Sequence, residues 1–187
     1  MQLLAFVLIY PLLWFVSILP FRLLYAVSDV LYVVLYHIVG YRKQTVQENL
    51  KLVFPDKSEA ERQLITKRFY HHLCDMILEA IKSMSISVED MKARFKFTNI
   101  ELIKEFEKQN KSIVLMCAHY GSWEWIFIIQ TYVKFRGYAV YKRLNNIYFD
   151  KLVRGIRARY NSYLVTTKET IPTLIENKKK GVLTMNG

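Results

Sequence analysis

The stretch that decides the fold runs Lys111-Ser-Ile-Val-Leu-Met-Cys-Ala-His-Tyr-Gly-Ser-Trp-Glu-Trp125. Ser112 to Cys117 is a short apolar run with β-branched residues, bounded by a charge before it and a turn after it. That pattern predicts a buried strand. Gly121 breaks the run, and Ser122 can cap a following helix. Glu124 then lies in the first turn of that helix, where a negative charge is favoured. His119 therefore falls just past a strand end, and Glu124 just inside a helix start. On one continuous helix, residues five apart do not face each other. Across a turn they can meet, and a carboxylate can then hold an imidazole in one tautomer and support its charged form. A general base that takes a proton from a hydroxyl needs this support. The same two residues also read as a surface histidine after a strand and a carboxylate at a helix start, with no chemistry attached.

Downstream, Trp123 to Lys134 predicts a helix that is apolar nearly all round, hence buried, with a start that fixes Glu124. Arg136-Gly137 reads as a turn and Tyr138 to Lys142 as a strand. Tyr141-Lys-Arg-Leu-Asn-Asn-Ile-Tyr-Phe-Asp150 follows, and then Arg154, Arg157 and Arg159. An arginine at a strand end beside a helix start makes a good phosphate clamp, being planar, permanently charged and bidentate. Arg143 is so placed. For the later arginines a solvated helix face is the competing reading, with Asp150 pairing to Arg154 one turn on. Ser162 to Thr166 is a further strand. Lys168 to Lys180 is a helix with a basic end that suits its dipole. Gly181 to Met185 begins another strand.

Upstream, Arg94 to Thr98 alternates polar and aromatic residues, an edge-strand pattern. Asn99 caps a helix to about Gln109, and Asn110-Lys111 turns into the strand described first. Ser58-Glu-Ala-Glu61 is a capping box. The helix after it, to about Ser83, repeats apolar residues three and four apart, among them Leu64, Ile65, Phe69, Leu73 and Met76. His71 and His72 are adjacent and point to different faces, so they do not share a metal. Ser87 to Lys92 is a short capped helical turn. The segment from Tyr41 is a short helix stopped before Pro55.

The first forty residues are strongly apolar. Leu3 to Leu19 holds only Ser17 as a polar residue and is close to the roughly 20 residues that span a bilayer. No basic residue precedes it and no small-x-small site follows, so an uncleaved anchor fits better than a signal peptide. Phe21 to Tyr41 carries Arg22, Asp29 and His37 on one side, an amphipathic helix suited either to lying along a membrane surface or to packing against the globular part. Gly40 ends it. Arg42 and Lys43 then follow, as on a cytoplasmic side. Residues 1–41 thus read as a membrane anchor, and 42–187 as an α/β layer domain built from the helix–strand alternation after Arg94.

A formal net charge of +11 over 187 residues calls for an anionic partner. The apolar N-terminal segment favours an anionic membrane face or a phosphorylated substrate and argues against nucleic acid. Cys74 and Cys117 make no disulfide framework and have no metal-ligand spacing. No metal and no cofactor is expected.

His119-Tyr-Gly-Ser-Trp-Glu124 resembles the His-x4-Asp/Glu block of the lysophospholipid acyltransferase superfamily. It is closest to the branch that acylates lipid A precursors in bacteria, whose block typically reads His-Phe-Gly-Asn-Trp-Glu; Ser122 stands where Asn is usual. Arg42, Asn49, Leu50, Phe54 and Pro55 resemble a second signature of that branch. Arg143, Leu144, Asn146 and Asp150 resemble a third, with Ile147 where Pro is usual. The resemblance implies N-terminal membrane-anchoring helices followed by an α/β acyltransferase layer fold, incomplete at the C-terminus. It implies His119 and Glu124 as catalytic residues, and Arg143, Asn146, Asp150, Arg154 and Ser122 as substrate contacts. The implied donor is an acyl carrier protein or coenzyme A thioester, and the acceptor a lipid A precursor or related glycolipid. The implied location is the cytoplasmic face of the bacterial inner membrane. The rival readings are a catalytically incomplete, membrane-anchored lipid-binding protein of the same fold, and a basic protein that merely binds polyanions.

Overall fold

Apolar side chains fill nearly every position of α1 (Gln2–Ile18), which keeps Pro11 inside it. The structure, a computed structural model, describes residues 1–180 and 184–186. The chain packs as two compact units, one of Met1–Leu12 with Ile86–Gly187 and the other of Leu13–Ser85. The boundary expected at residue 41 falls inside the second.

In the Leu13–Ser85 unit, α2 (Phe21–Tyr32) continues without a break into a π-helical segment, Val33–Val39. Gly40 ends it with φ 64°, a left-handed conformation that glycine adopts without a Cβ penalty. The α3 helix (Lys43–Val53) stops before Pro55, as expected, and α4 (Glu59–Lys82) starts at the Ser58 capping box with both reciprocal bonds made. Tyr32, Tyr36, Tyr70 and Cys74 form a buried cluster in this unit, which also buries Leu24 and Leu78. Its polar groups are paired across helices: Ser28 Oγ donates to Asp75 (2.6 Å) and Tyr25 OH to Glu79 (2.7 Å). The buried Lys82 ammonium donates to the carbonyls of Ser17 (2.7 Å) and Leu19 (2.8 Å), placing a cation at the negative end of the α1 dipole. Among the described residues, Phe21–Val39, 19 residues long, is the helix long and apolar enough to cross a membrane; Gln2–Ile18 is a shorter apolar helix. The second apolar run, and not the first, is thus the one that meets the length needed to cross, because the π-helical segment extends it.

The other unit carries α5 (Val88–Arg94), α6 (Ile100–Lys108), β1 (Ile113–Val114), β2 (Arg136–Tyr141), α7 (Ile147–Arg157), β3 (Tyr163–Thr166), α8 (Thr170–Lys179) and β4 (Thr184–Asn186). The strands form one parallel four-stranded sheet in the order β1-β4-β2-β3. This is a mixed α/β architecture with a small sheet. The first part of the last expected strand, 181–183, lies outside the described residues.

Four local expectations are corrected. Residues 94–98 do not form a strand: α5 runs through Arg94, and Phe97 packs into the cluster of Ile129, Val133 and Phe135. The aromatic alternation there marks side chains inserted into a core, not a ladder. The strand expected over Ser112–Cys117 is paired only at Ile113–Val114 and is not buried on both faces. Ile113 and Leu115 pack inward while Val114 is 69% and Met116 88% exposed, because alternate side chains point to opposite faces and the second face opens on a cleft. Trp123–Thr131 is a 3-10 helix rather than an α-helix. Three residues per turn put Trp125 and Ile128 on one edge, and both are buried.

Finally, Arg136-Gly137 is the start of β2, not a turn. The Gly137 amide donates to Gln130 Oε1 at 3.0 Å. A Cβ on Gly137 would meet the Gln130 side-chain carbon Cδ at 2.7 Å. Glycine is there for close approach, not for a bend. Gly137→Ala is therefore expected to destabilise by about 1–2 kcal/mol through overpacking. Adding Gln130→Ala should return part of that loss in thermal unfolding of the solubilised protein. An unshifted melting point for Gly137→Ala alone would show that Gln130 simply moves aside.

Candidate active site

The order of the strands sets where side chains can meet. The β1-to-β2 and β2-to-β3 connections cross the sheet in one direction, and the β3-to-β4 connection crosses back. Right-handed crossovers then put the Trp123–Thr131 helix and α7 on one face, and α8 on the other. The alternation along β2 agrees. Gly137 meets Gln130 of the 3-10 helix, whereas the Tyr138 hydroxyl donates to Asn177 of α8 at 3.2 Å. Gly137, Ala139 and Tyr141 thus share the face of the 3-10 helix.

A cleft of about 790 Å³ opens at the sheet. It reaches past the carboxyl ends of β1 and β2, where parallel α/β sheets bind their ligands. Its walls are mostly apolar, with Met116, Phe127, Val140 and Leu174 among them, and His119, Glu124 and Arg157 among its polar groups.

His119 stands in the loop after β1. Gly121, at φ 62°, turns the chain, and the Trp123 amide donates back to the Gly121 carbonyl at 2.8 Å. That reversal brings His119 and Glu124 to the same cleft. The His119 ring packs on Trp123 with centroids 4.3 Å apart. Glu124 does not bond to His119 among the described residues. Both its oxygens accept from Arg157 instead, Nε to Oε2 at 2.9 Å and the Nη2 group to Oε1. This is a two-pronged guanidinium–carboxylate fork, and the two side chains are only 16% and 18% exposed. The Arg157 guanidinium also lies 5.2 Å from the Trp123 ring centre. Imidazole, indole, guanidinium and carboxylate therefore form one connected group.

The sequence leaves Arg157 divided between the site and a solvated face. A usable signal is present: Leu152, Val153, Ile156 and Arg157 make one inward stripe of α7, and Arg154 lies off it, exposed. The stripe carries Arg157 to the cleft alongside Val153.

The other expected contacts are placed elsewhere. Arg143 is exposed and pairs with Glu169 at 3.7 Å. Hydrogen bonds from Thr166 hold the Glu169 carboxyl below its ordinary range. Asn146 caps α7, its oxygen accepting from the amides of Tyr148 (3.0 Å) and Phe149 (3.3 Å), while its amide donates to the Gln2 carbonyl at 3.0 Å. Asp150 accepts from the Leu144 amide at 2.9 Å and so closes the loop that carries Arg143. Ser122 occupies the cap position of the 3-10 helix without a side-chain cap bond. Neither these four nor Arg154 is among the described residues lining the cleft. Cys117 does line it and is exposed there, yet partial desolvation by the surrounding atoms pushes its thiol above the ordinary value, away from the thiolate a nucleophile needs. Among the described residues, no three His, Cys, Asp or Glu side chains are gathered to hold a metal.

Residues 2–185 match the family model described as bacterial lipid A biosynthesis acyltransferase. The lipid A biosynthesis myristoyltransferase of Escherichia coli (strain K12) is 21% identical over 133 residues, 71% of this chain and 41% of that protein. Lipid A biosynthesis acyltransferase 1 of Shigella flexneri is 21% identical over 133 residues, with the same 71% and 41% coverage. Acyltransferase 2 of Shigella flexneri is 20% identical over 140 residues, 75% of this chain and 44% of that protein. The chain spans less than half the length of each of these relatives.

Proposed function

This chain belongs to the bacterial lipid A biosynthesis acyltransferase family, and from that premise we propose that it moves a fatty acyl group from a thioester to a hydroxyl of a lipid A precursor or related glycolipid. The donor is the thioester of an acyl carrier protein or of coenzyme A. The observation that carries the reading is a carboxylate pinned by Arg157 in the same apolar cleft as His119.

In this mechanism His119 takes the proton from the acceptor hydroxyl, and the oxygen attacks the thioester carbonyl carbon. The carbon–sulfur bond breaks, and the departing thiolate takes the proton back from the imidazolium. Glu124 supports the imidazolium by its charge. Arg157 offsets part of that charge, so its main contribution is to fix the carboxylate in place. The apolar walls suit an acyl chain and keep water from the thioester. Arg143 and Arg154, both exposed, offer guanidinium groups to phosphates of the donor or head group. Asn146 and Asp150 act through the loop and helix start that hold Arg143, and Ser122 through the turn that sets Glu124. A location on the anionic, cytoplasmic face of the inner membrane is part of this proposal, supported by the apolar helices within residues 1–41 and the net charge of +11.

The intact protein in vesicles, supplied with a radiolabelled acyl thioester and a lipid A precursor, should transfer label to the extracted glycolipid. If neither carrier thioester labels the lipid, the reading is wrong.

A further inference from the structure

Acyl transfer places negative charge on the thioester carbonyl oxygen, and a water-poor site must supply hydrogen-bond donors for it. A helix start after the turn is the obvious source, but here it is partly engaged. The Trp123 amide donates to Gly121 (2.8 Å) and the Trp125 amide to Ser122 (2.9 Å). Arg157 directs its fork at Glu124.

Tyr141 stands apart from these. It ends β2, is only 6% exposed, and lines the cleft. Its hydroxyl has no hydrogen-bond partner among the described residues. Leaving such a group unpaired costs on the order of 1–3 kcal/mol. The other described side-chain groups in that condition belong to Arg62, Gln130, Tyr160 and Asn177, and none of those residues is among the cleft lining. Strand alternation puts Tyr141 on the face of Gly137, which is the face of the 3-10 helix that carries Glu124.

We propose that the Tyr141 phenol is the hydrogen-bond donor to the carbonyl oxygen of the acyl thioester; this rests on the acyl-transfer reading above. When the acceptor oxygen adds to the carbonyl carbon, the C=O electron pair moves onto the carbonyl oxygen, which accepts a stronger bond from the Tyr141 hydroxyl. Collapse re-forms C=O and expels the thiolate, which is protonated by His119. The phenol keeps its proton throughout.

Tyr141→Phe removes one oxygen and keeps the ring, so the test is clean. In the intact, membrane-bound protein, kcat should fall about 10²-fold, as for loss of one oxyanion donor. KM should stay nearly unchanged and the melting point should not drop. A 3-fluorotyrosine at position 141 preserves packing and makes the hydroxyl a stronger donor, and should change kcat where a purely structural ring would not. Wild-type kcat in Tyr141→Phe, beside an inactive His119→Ala, overturns the role of the phenol and leaves acyl transfer standing. So does a low kcat in Tyr141→Phe with no response to 3-fluorotyrosine, or a loss seen only in KM. Absence of transfer by the unaltered protein overturns the underlying reading instead.

Discussion

His119→Ala in the intact protein is expected to lower acyl transfer by about 10²- to 10⁴-fold, the range for removing a general base. The protein itself should barely notice. His119 is an exposed loop residue whose described contact is ring packing on Trp123. Substitutions at such positions usually shift stability by less than about 0.5 kcal/mol. Lost activity with an unchanged melting point would therefore report chemistry, not unfolding. The measurement is initial rate of label transfer against thioester concentration, with thermal unfolding of the same sample. A variant that keeps near-normal rates removes the base from the mechanism, whatever the family suggests.

The second large effect is expected at Arg157. Removing it strands a mostly buried Glu124 carboxylate, which has accepted both prongs of the guanidinium. Losing one member of a fully buried pair costs about 3–5 kcal/mol, because the other charge is left without a partner. Here both side chains keep some water contact, so about 2 kcal/mol is expected for Arg157→Ala. Activity should fall with it, since Glu124 is then free to turn away from the cleft. Arg157→Lys should recover only part of either loss, because an ammonium cannot meet both oxygens in one plane. The decisive measurement is a double-mutant cycle with Glu124→Gln, read by unfolding. A coupling above about 1 kcal/mol is expected for a fork of this geometry. Coupling near zero would mean that the two residues do not act together in solution.

Local rules served well where a local rule decides the structure. The Ser58 capping box, the Gly40 stop, the helix ended ahead of Pro55 and the strand at Tyr163–Thr166 all follow from residues a few positions apart. The misreadings share a different cause. Phe97 and Gly137 are shaped by partners from other elements, the Ile129 cluster and Gln130. No spacing in the chain reveals that Gly137 needs its missing Cβ for a side chain rather than for a turn. The candidate site shows the same limit. The turn at Gly121 and the flanking His119 and Glu124 are visible in one short window. The group that meets Glu124 is 33 residues away and depends on a crossover, which places α7 over the same face of the sheet. A pair read as imidazole and carboxylate becomes a chain of rings and charges only in three dimensions.

The two thiols of the protein differ sharply in access. Cys74 is 0% exposed in the core of the helical unit, while Cys117 is exposed beside the cleft. An alkylating reagent should thus mark one position in the folded state. Its rate would serve as a footprint of cleft occupancy, slowed when an acyl chain lies against Met116 and Cys117 and restored when it leaves. Inactivation by such a reagent would reflect obstruction by the attached group, and should not be mistaken for the signature of a cysteine enzyme.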